Sequence, residues 1–198
     1  MILFENPNNS DPYNLFIEYY NDAIKSDQKN IDAVAISSYS KKSNEVSSRF
    51  VNIKYVRNDE WVFFSNYESK KALDFKTHEQ IACLFFWPNT NSQIRMKSVI
   101  KKISQEDSDK HFFKRSMAKN ALAICSKQSK ALSSHDALMD SYEKTLTKGD
   151  LSKRPSYWGG YSFVPYYFEF WKGNDKRLNK RVSYTFRENK WHKLLLWP

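Results

Sequence analysis

The chain has 198 residues, 16% of them aromatic, and a formal net charge of +10. That length suits one domain, or a domain with an appendage, and is enough to bury a real core. No stretch approaches 18 consecutive apolar residues, so no membrane-spanning helix is expected. The opening MILFENPNNSDPYN lacks the basic and apolar runs of an export signal, which sets the expectation of a cytoplasmic protein.

Residues 11–27 begin with Asp-Pro and repeat Leu15, Phe16, Tyr19, Tyr20 and Ile24 at helical spacing, which predicts an amphipathic helix with Asp11 as its cap. Strands are predicted over 32–39, 48–57 and 61–65, the last two forming a hairpin around Asp59-Glu60. Alternation along 48–57 puts Phe50, Asn52, Lys54 and Val56 on one face and Arg49, Val51, Ile53, Tyr55 and Arg57 on the other. A face carrying Asn52 and Lys54 is either solvated or lines a polar ligand site. Ser65-Asn66-Tyr67-Glu68 fits a capping box, with Ser65 as N-cap and Lys70 and Lys71 in the first turns that follow. Such a helix start is either an ordinary capped surface helix or, with its free N–H groups, hydroxyl and two ammonium charges, a seat for a phosphate monoester. Residues 80–87 read as a buried strand stopped by Pro88, and 93–103 as its partner. Helices are predicted over 105–116 and 134–147, then strands near 161–171, 181–187 and 190–196. Many strands and few long helices give a mainly β, antiparallel barrel with added helices.

The charge is unevenly placed. Residues 1–30 hold two lysines against five acidic residues, whereas 171–198 hold eight Lys or Arg against two. Cys83 and Cys125 lie in apolar surroundings far apart in sequence and are expected as free thiols. The four histidines show no metal-ligand spacing, and no Gly-rich dinucleotide, P-loop or nucleophile-elbow pattern occurs. Three of the four glycines fall within 157–181, where aromatic residues surround Gly159-Gly160 and Lys176, Arg177, Lys180 and Arg181 close the stretch. Flat apolar surfaces, close backbone approach and several cations suit a flat, phosphorylated ligand.

The segments SSRFVNIK (47–54), FFSNYESKKA (63–72), FFWPNTNSQIR (85–95), SKQS (126–129), SYWGGY (156–161) and EFWKGNDKRLNKR (169–181), with the ending WHKLLLWP, occur in this order. Together they resemble the pyridoxamine 5′-phosphate oxidases, FMN enzymes of vitamin B6 metabolism, over nearly the whole chain. The resemblance implies a single FMN-binding split β-barrel over 1–198. Residues 157–198 would be the C-terminal dimerisation and active-site segment. It implies a homodimer with FMN between the subunits, and no nucleic-acid or membrane partner. The implied reaction oxidises pyridoxamine or pyridoxine 5′-phosphate to pyridoxal 5′-phosphate. A hydride equivalent passes to the flavin, and O2 is reduced to H2O2.

By the same resemblance, Arg49, Phe50, Val51, Asn52, Ile53 and Lys54 hold FMN, with Phe64, Ser65, Lys70, Lys71, Gln93, Gln128, Ser129, Trp171 and Arg181 completing its site. The substrate falls to Lys54, His111, Arg115, Lys119, Arg177 and Asn179, with Arg177 and Asn179 the catalytic pair. Alternation along a strand would put Arg177, Asn179 and Arg181 on one face. The chain departs from the family pattern mainly on the substrate side. Lys70 stands for Arg, His111 for Tyr, Lys119 for Ser and Asn179 for His, and RSMAKNALAICS lacks the R-P-x-x-S-Q-x-G-x-W run. Two other readings stay open: a flavin oxidase of the same barrel acting on another substrate, like the phenazine-pathway oxidases, and a non-catalytic binder of FMN or pyridoxal phosphate.

Overall fold

A computed structural model describes residues 1–198. Ten strands form one sheet: β1 (Leu3–Pro7), β2 (Ala33–Ser40), β3 (Glu45–Asn52), β4 (Tyr55–Asn58), β5 (Glu60–Asn66), β6 (Gln80–Trp87), β7 (Ser92–Lys102), β8 (Trp158–Lys172), β9 (Lys180–Arg187) and β10 (Lys190–Leu196). Five helices are added: α1 (Asp11–Lys25), α2 (Lys70–Thr77), α3 (Gln105–Phe113), α4 (Met117–Cys125) and α5 (His135–Lys148). The strand order is β1-β4-β5-β8-β7-β6-β2-β3, with β9 on β8 and β10 on β9. All ladders are antiparallel except β1 with β4. The terminal strand β3 comes near β5, which lies third from the other end of the path, so the sheet curls into an almost closed barrel. No helix is long and apolar enough to cross a membrane.

The core follows from alternation. Ile81, Cys83, Phe85 and Trp87 on β6 and Ile94, Met96 and Ile100 on β7 point inward and are buried. The inward apolar face of α1 closes the barrel: Phe16 meets Trp61 edge-on at 4.5 Å between centroids and Phe85 at 5.3 Å. Strand β8 keeps both halves of its inward face apolar by means of a bulge. Lys97 pairs with Tyr167 and Ser98 with Pro165, so Tyr166 is the extra residue. Before the bulge Tyr161 and Phe163 face inward, and after it Phe168 and Phe170 do. Proline is tolerated here because it has no N–H to place in the ladder. The bulge also marks a change of partner, from β5 over Trp158–Phe163 to β9 over Tyr167–Lys172.

Three local expectations are corrected. The strand expected over 48–57 is two strands, because the chain turns inward at Ile53, which is fully buried in the core. The helix expected to start at Ser65 starts at Lys70. Strand pairing with Gly159 holds Ser65 extended, the Asn66 side chain accepts the Glu68 N–H in an Asx turn, and Ser69 occupies the N-cap. Helix α1 begins at Asp11, so Ser10 rather than Asp11 occupies the N-cap position; its carbonyl accepts the Tyr13 and Asn14 N–H groups, and its side chain makes no capping bond. Strand β1 and helix α4 were not foreseen. The free state expected for Cys83 and Cys125 is found.

Gly159 and Gly160 are required by close packing rather than by unusual dihedrals. A Cβ on Gly159 would overlap the Tyr67 hydroxyl and lie 2.7 Å from its Cζ, and Tyr67 donates to the Gly160 carbonyl. We therefore expect Gly159→Ala to destabilise the fold by about 1–3 kcal/mol through overpacking. Urea unfolding measures this, and a variant as stable as wild type would contradict the packing described.

Candidate functional site

The break between β3 and β4, the end of β5 and the α3–α4 junction surround a cleft of about 530 Å³. Its lining includes Lys54, Lys71, Lys114, Arg115 and Lys119, and no carboxylate. Lys54 is paired from behind with Asp32 at 3.0 Å. Lys71 is buried and has no acidic partner; its Nζ donates to Ser65 Oγ at 3.0 Å, Ser69 Oγ at 3.2 Å and Gln128 Oε1 at 3.0 Å. Burial, reinforced by the positive charge of Arg49, pushes the Lys71 ammonium down from 10.5 to about 8. Burial likewise lowers Arg115, whose Nη1 is buried without a hydrogen-bond partner. Leaving cations this poorly matched is unfavourable unless an anion completes them.

One wall is a stack of flat rings. Phe64 lies on His111 at 3.6 Å between centroids and 8° between planes, and on Trp158 at 5.4 Å and 13°. The Arg115 guanidinium sits 4.3 Å from the Trp158 ring centroid. His111 Nδ1 and the Tyr55 hydroxyl are hydrogen-bonded at 2.8 Å. Burial, then the charges of Arg115, Lys54, Lys114 and Arg57, push His111 from 6.5 down to about 4, so its imidazole is neutral near pH 7.

The cleft brings together Phe50, Val51, Asn52, Lys54, Phe64, Ser65, Lys71, His111, Arg115, Lys119 and Gln128 from the residues expected by resemblance. Arg49 lies beside it on β3, near enough to act on Lys71. Lys70 and Ser129 are exposed, and Ser129 has a left-handed backbone. Ile53 belongs to the core instead. Lys114, Ser116 and Trp158 line the cleft without having been predicted. Trp158 could have been found, because it stands inside the SYWGGY segment already singled out.

A second group lies elsewhere. Gln93, Trp171 and Arg181 form one row across β7, β8 and β9. Arg181 there donates to Glu169 at 2.8 Å and to the Trp197 carbonyl at 2.9 Å. On β8 the cleft end is Gly160, opposite Phe64, and Trp171 is eleven residues further on (171 − 160), roughly 35 Å along the strand. None of Gln93, Trp171 and Arg181 lines the cleft of its own chain. The strand argument for Arg177 and Asn179 also fails. Residues 173–179 are a loop, Arg177 has a positive φ of 59°, and Asn179 Oδ1 accepts the Asn174 N–H. Turn formation around Asn174, whose carbonyl accepts the Arg177 N–H, outweighs strand pairing there.

An almost closed barrel with a cationic, aromatic-walled cleft at a strand–helix junction defines a split-barrel protein for a flat phosphorylated ligand. The comparisons agree. The family profile described as pyridoxamine 5′-phosphate oxidase matches residues 21–149, and that described as the pyridoxine 5′-phosphate oxidase C-terminal dimerisation region matches 158–198. The chain belongs to the pyridoxamine 5′-phosphate oxidase family. It is 35% identical to pyridoxine/pyridoxamine 5′-phosphate oxidase 2 of Hydrogenovibrio crunogenus, over 99% of this chain and 92% of that one. It is 37% identical to the pyridoxine/pyridoxamine 5′-phosphate oxidase of Rippkaea orientalis, over 92% and 87%. The structure of PhzG from Burkholderia lata 383 with tetrahydrophenazine-1-carboxylic acid superposes with a TM-score of 0.90 at 25% identity, over 96% and 93% of the two chains. FMN is the cofactor of this family, and unmatched cations beside a stacked aromatic wall fit a flavin phosphate and ring.

The Lys71 environment predicts a signature in ligand-free protein. Between about 8 and 10.5 the unfolded chain still holds the Lys71 proton and the folded chain has released it. Stability from this group therefore rises with pH across that window. We expect the stability of wild type minus that of Lys71→Met, from urea midpoints, to increase from pH 8 to 10.5. A flat difference would mean that Lys71 is not held at lowered pKa.

Proposed function

We propose that this protein is an FMN-dependent oxidase converting pyridoxamine or pyridoxine 5′-phosphate to pyridoxal 5′-phosphate, with O2 as acceptor and H2O2 as product; the amine substrate also consumes one water and releases ammonia as its imine is hydrolysed. The observation that carries the reading is the acid-free cleft, in which Lys71 and Arg115 lack anionic partners beside the His111–Phe64–Trp158 stack. Two phosphorylated, flat molecules satisfy such a cleft.

On this reading Lys71, Ser65 and Arg49 hold the cofactor phosphate, and exposed Lys70 adds charge at its rim. Phe50, Val51, Asn52, Gln128 and Ser129 border the cofactor from β3 and from the segment after α4. Lys54, Arg115 and Lys119 hold the substrate phosphate, and neutral His111 offers a hydrogen bond without a proton to exchange. Bound FMN supplies a two-electron acceptor that O2 reoxidises. The chain's own task is to orient the substrate's 4′ carbon for loss of a hydride, while the proton of the alcohol or amine leaves to solvent and water stays available to hydrolyse the imine formed from the amine.

The row of Gln93, Trp171 and Arg181 and the loop bearing Arg177 and Asn179 would reach the cleft of a second copy, so the working unit is a homodimer with two shared sites. Trp171 and Arg181 then flank the flavin, and Arg177 covers the substrate. A second reading has one observation in its favour. The changes from the family pattern, His111, Lys119 and Asn179, gather on the substrate side, and the PhzG structure is closely superposable. It assigns the same flavin site to a different, carboxylated substrate.

Three measurements test these statements. The purified protein should be yellow with about one FMN per chain, and anaerobic pyridoxamine 5′-phosphate should bleach it; yellow protein inert to B6 vitamers would favour the second reading. FMN should bind far better than riboflavin, since charge-assisted bonds to phosphate contribute roughly 1.5–3 kcal/mol each. Lys71→Ala should then weaken FMN by about tenfold or more, and equal affinity for FMN and riboflavin would refute the phosphate assignment. In turnover, Arg177→Ala should lose more kcat/KM than any change at Asn179. Asn179→His should gain up to about 5- to 30-fold, the equivalent of one contact of about 1–2 kcal/mol; no change would remove Asn179 from the substrate site.

A further inference from the structure

Behind the cationic cleft, two buried residues that do not line it form a relay to Arg49. Asp74 on α2 and Ser38 on β2 are 4% and 2% exposed. The Ser38 hydroxyl donates to Asp74 Oδ2 at 2.7 Å, and Arg49 Nη1 donates to the same Ser38 oxygen at 2.7 Å. Nη1 also reaches the Ile36 carbonyl at 3.4 Å. The Nε and Nη2 groups of Arg49 make no hydrogen bond to the protein.

The chemistry of a hydroxyl makes this arrangement directional. A serine has one proton to give and two lone pairs to offer. An ionised carboxylate can only accept, so Asp74 claims the proton and turns the lone pairs of Ser38 toward β3. Arg49 is then gripped through one nitrogen only. The other edge of its planar fork stays open for a bidentate contact to phosphate. Register supports the placement, since Arg49 lies opposite Ile36 in the β2–β3 ladder and diagonal to Ser38. Asp74 lies on the same helix as Lys71, one turn further on, and does not line the cleft.

We propose that Asp74, acting through the Ser38 hydroxyl, is a positioning residue that fixes the Arg49 fork in a phosphate-receiving orientation. The inference rests on the reading that Arg49 and Lys71 hold a cofactor phosphate. Its effect is confined to ligands that carry the phosphate, because the relay touches nothing else in the cleft.

Flavin fluorescence quenching on apoprotein, titrated separately with FMN and riboflavin, tests it. Ser38→Ala and Asp74→Ala should each weaken FMN by about 5- to 10-fold and leave riboflavin within about twofold. Asp74→Asn keeps an acceptor for the Ser38 proton and should restore FMN binding to within about threefold of wild type. Thermal melts of the ligand-free variants report any general loss of structure, and Ser38→Ala stands alone if Asp74→Ala fails to fold. The proposal is overturned if Ser38→Ala leaves FMN affinity unchanged, if FMN and riboflavin weaken together, or if Asp74→Asn is as poor as Asp74→Ala. Wild type that binds riboflavin as tightly as FMN would instead sink the phosphate reading itself.

Discussion

A fifteen-residue strand that hydrogen-bonds on both edges and changes one partner half-way must bend, and β8 sets the terms for the rest of the molecule. It pairs with β7 along its length, with β5 before the bulge and with β9 after it. The extra residue at Tyr166 resets the alternation, so Phe163 and Phe168 both face the core although they are five residues apart. A regular strand of this length would have turned one of the two halves outward. At one end β8 brings Trp158 to the cleft, and at the other it carries Trp171 between Gln93 and Arg181.

Electrostatics then explains why the cleft is poised rather than merely positive. Surface lysines are well hydrated and contribute little. Lys71 differs because neutral oxygens of Ser65, Ser69 and Gln128 surround it, and these direct the ammonium without neutralising it. The folded chain tolerates this because the apolar core is extensive and the charge sits at its margin. An arriving dianion meets donors that are already desolvated and oriented, so little reorganisation opposes binding. His111 illustrates the opposite outcome: burial, and after it the neighbouring cations, keep its ring neutral, and a neutral ring can lie flat on Phe64.

Much of this was legible in the chain of letters. The strand 80–87 was bounded correctly because eight mostly apolar residues end at a proline, and the hairpin around Asp59 followed from its polar turn. Phe50, Val51, Asn52, Lys54, Phe64, Ser65 and Lys71 come together along one cleft because the motifs that hold them are local and nearly unbroken. The failures have identifiable physical causes. Ser65 fitted a capping pattern, but pairing with Gly159 kept it in the sheet, a long-range competitor that no four-residue window contains. Arg177 and Asn179 fitted strand alternation, but Asn174 folds the chain back through its carbonyl and side chain. Ser38 and Asp74 carried no signal, since a serine and an aspartate 36 residues apart become partners only when α2 packs on β2.

The distance between the two rows along β8 has a genetic consequence. If the rows meet only across a pair of chains, each site is built from the cleft of one chain and the Trp171–Arg181 row of the other. A chain broken at Lys71 and a chain broken at Arg181 are then each inactive by themselves. Combined in one pair, they place both lesions in the same site and leave the second site wholly intact. Two defective alleles expressed together would recover activity that neither possesses, and the ceiling on that recovery is set by how often unlike chains meet.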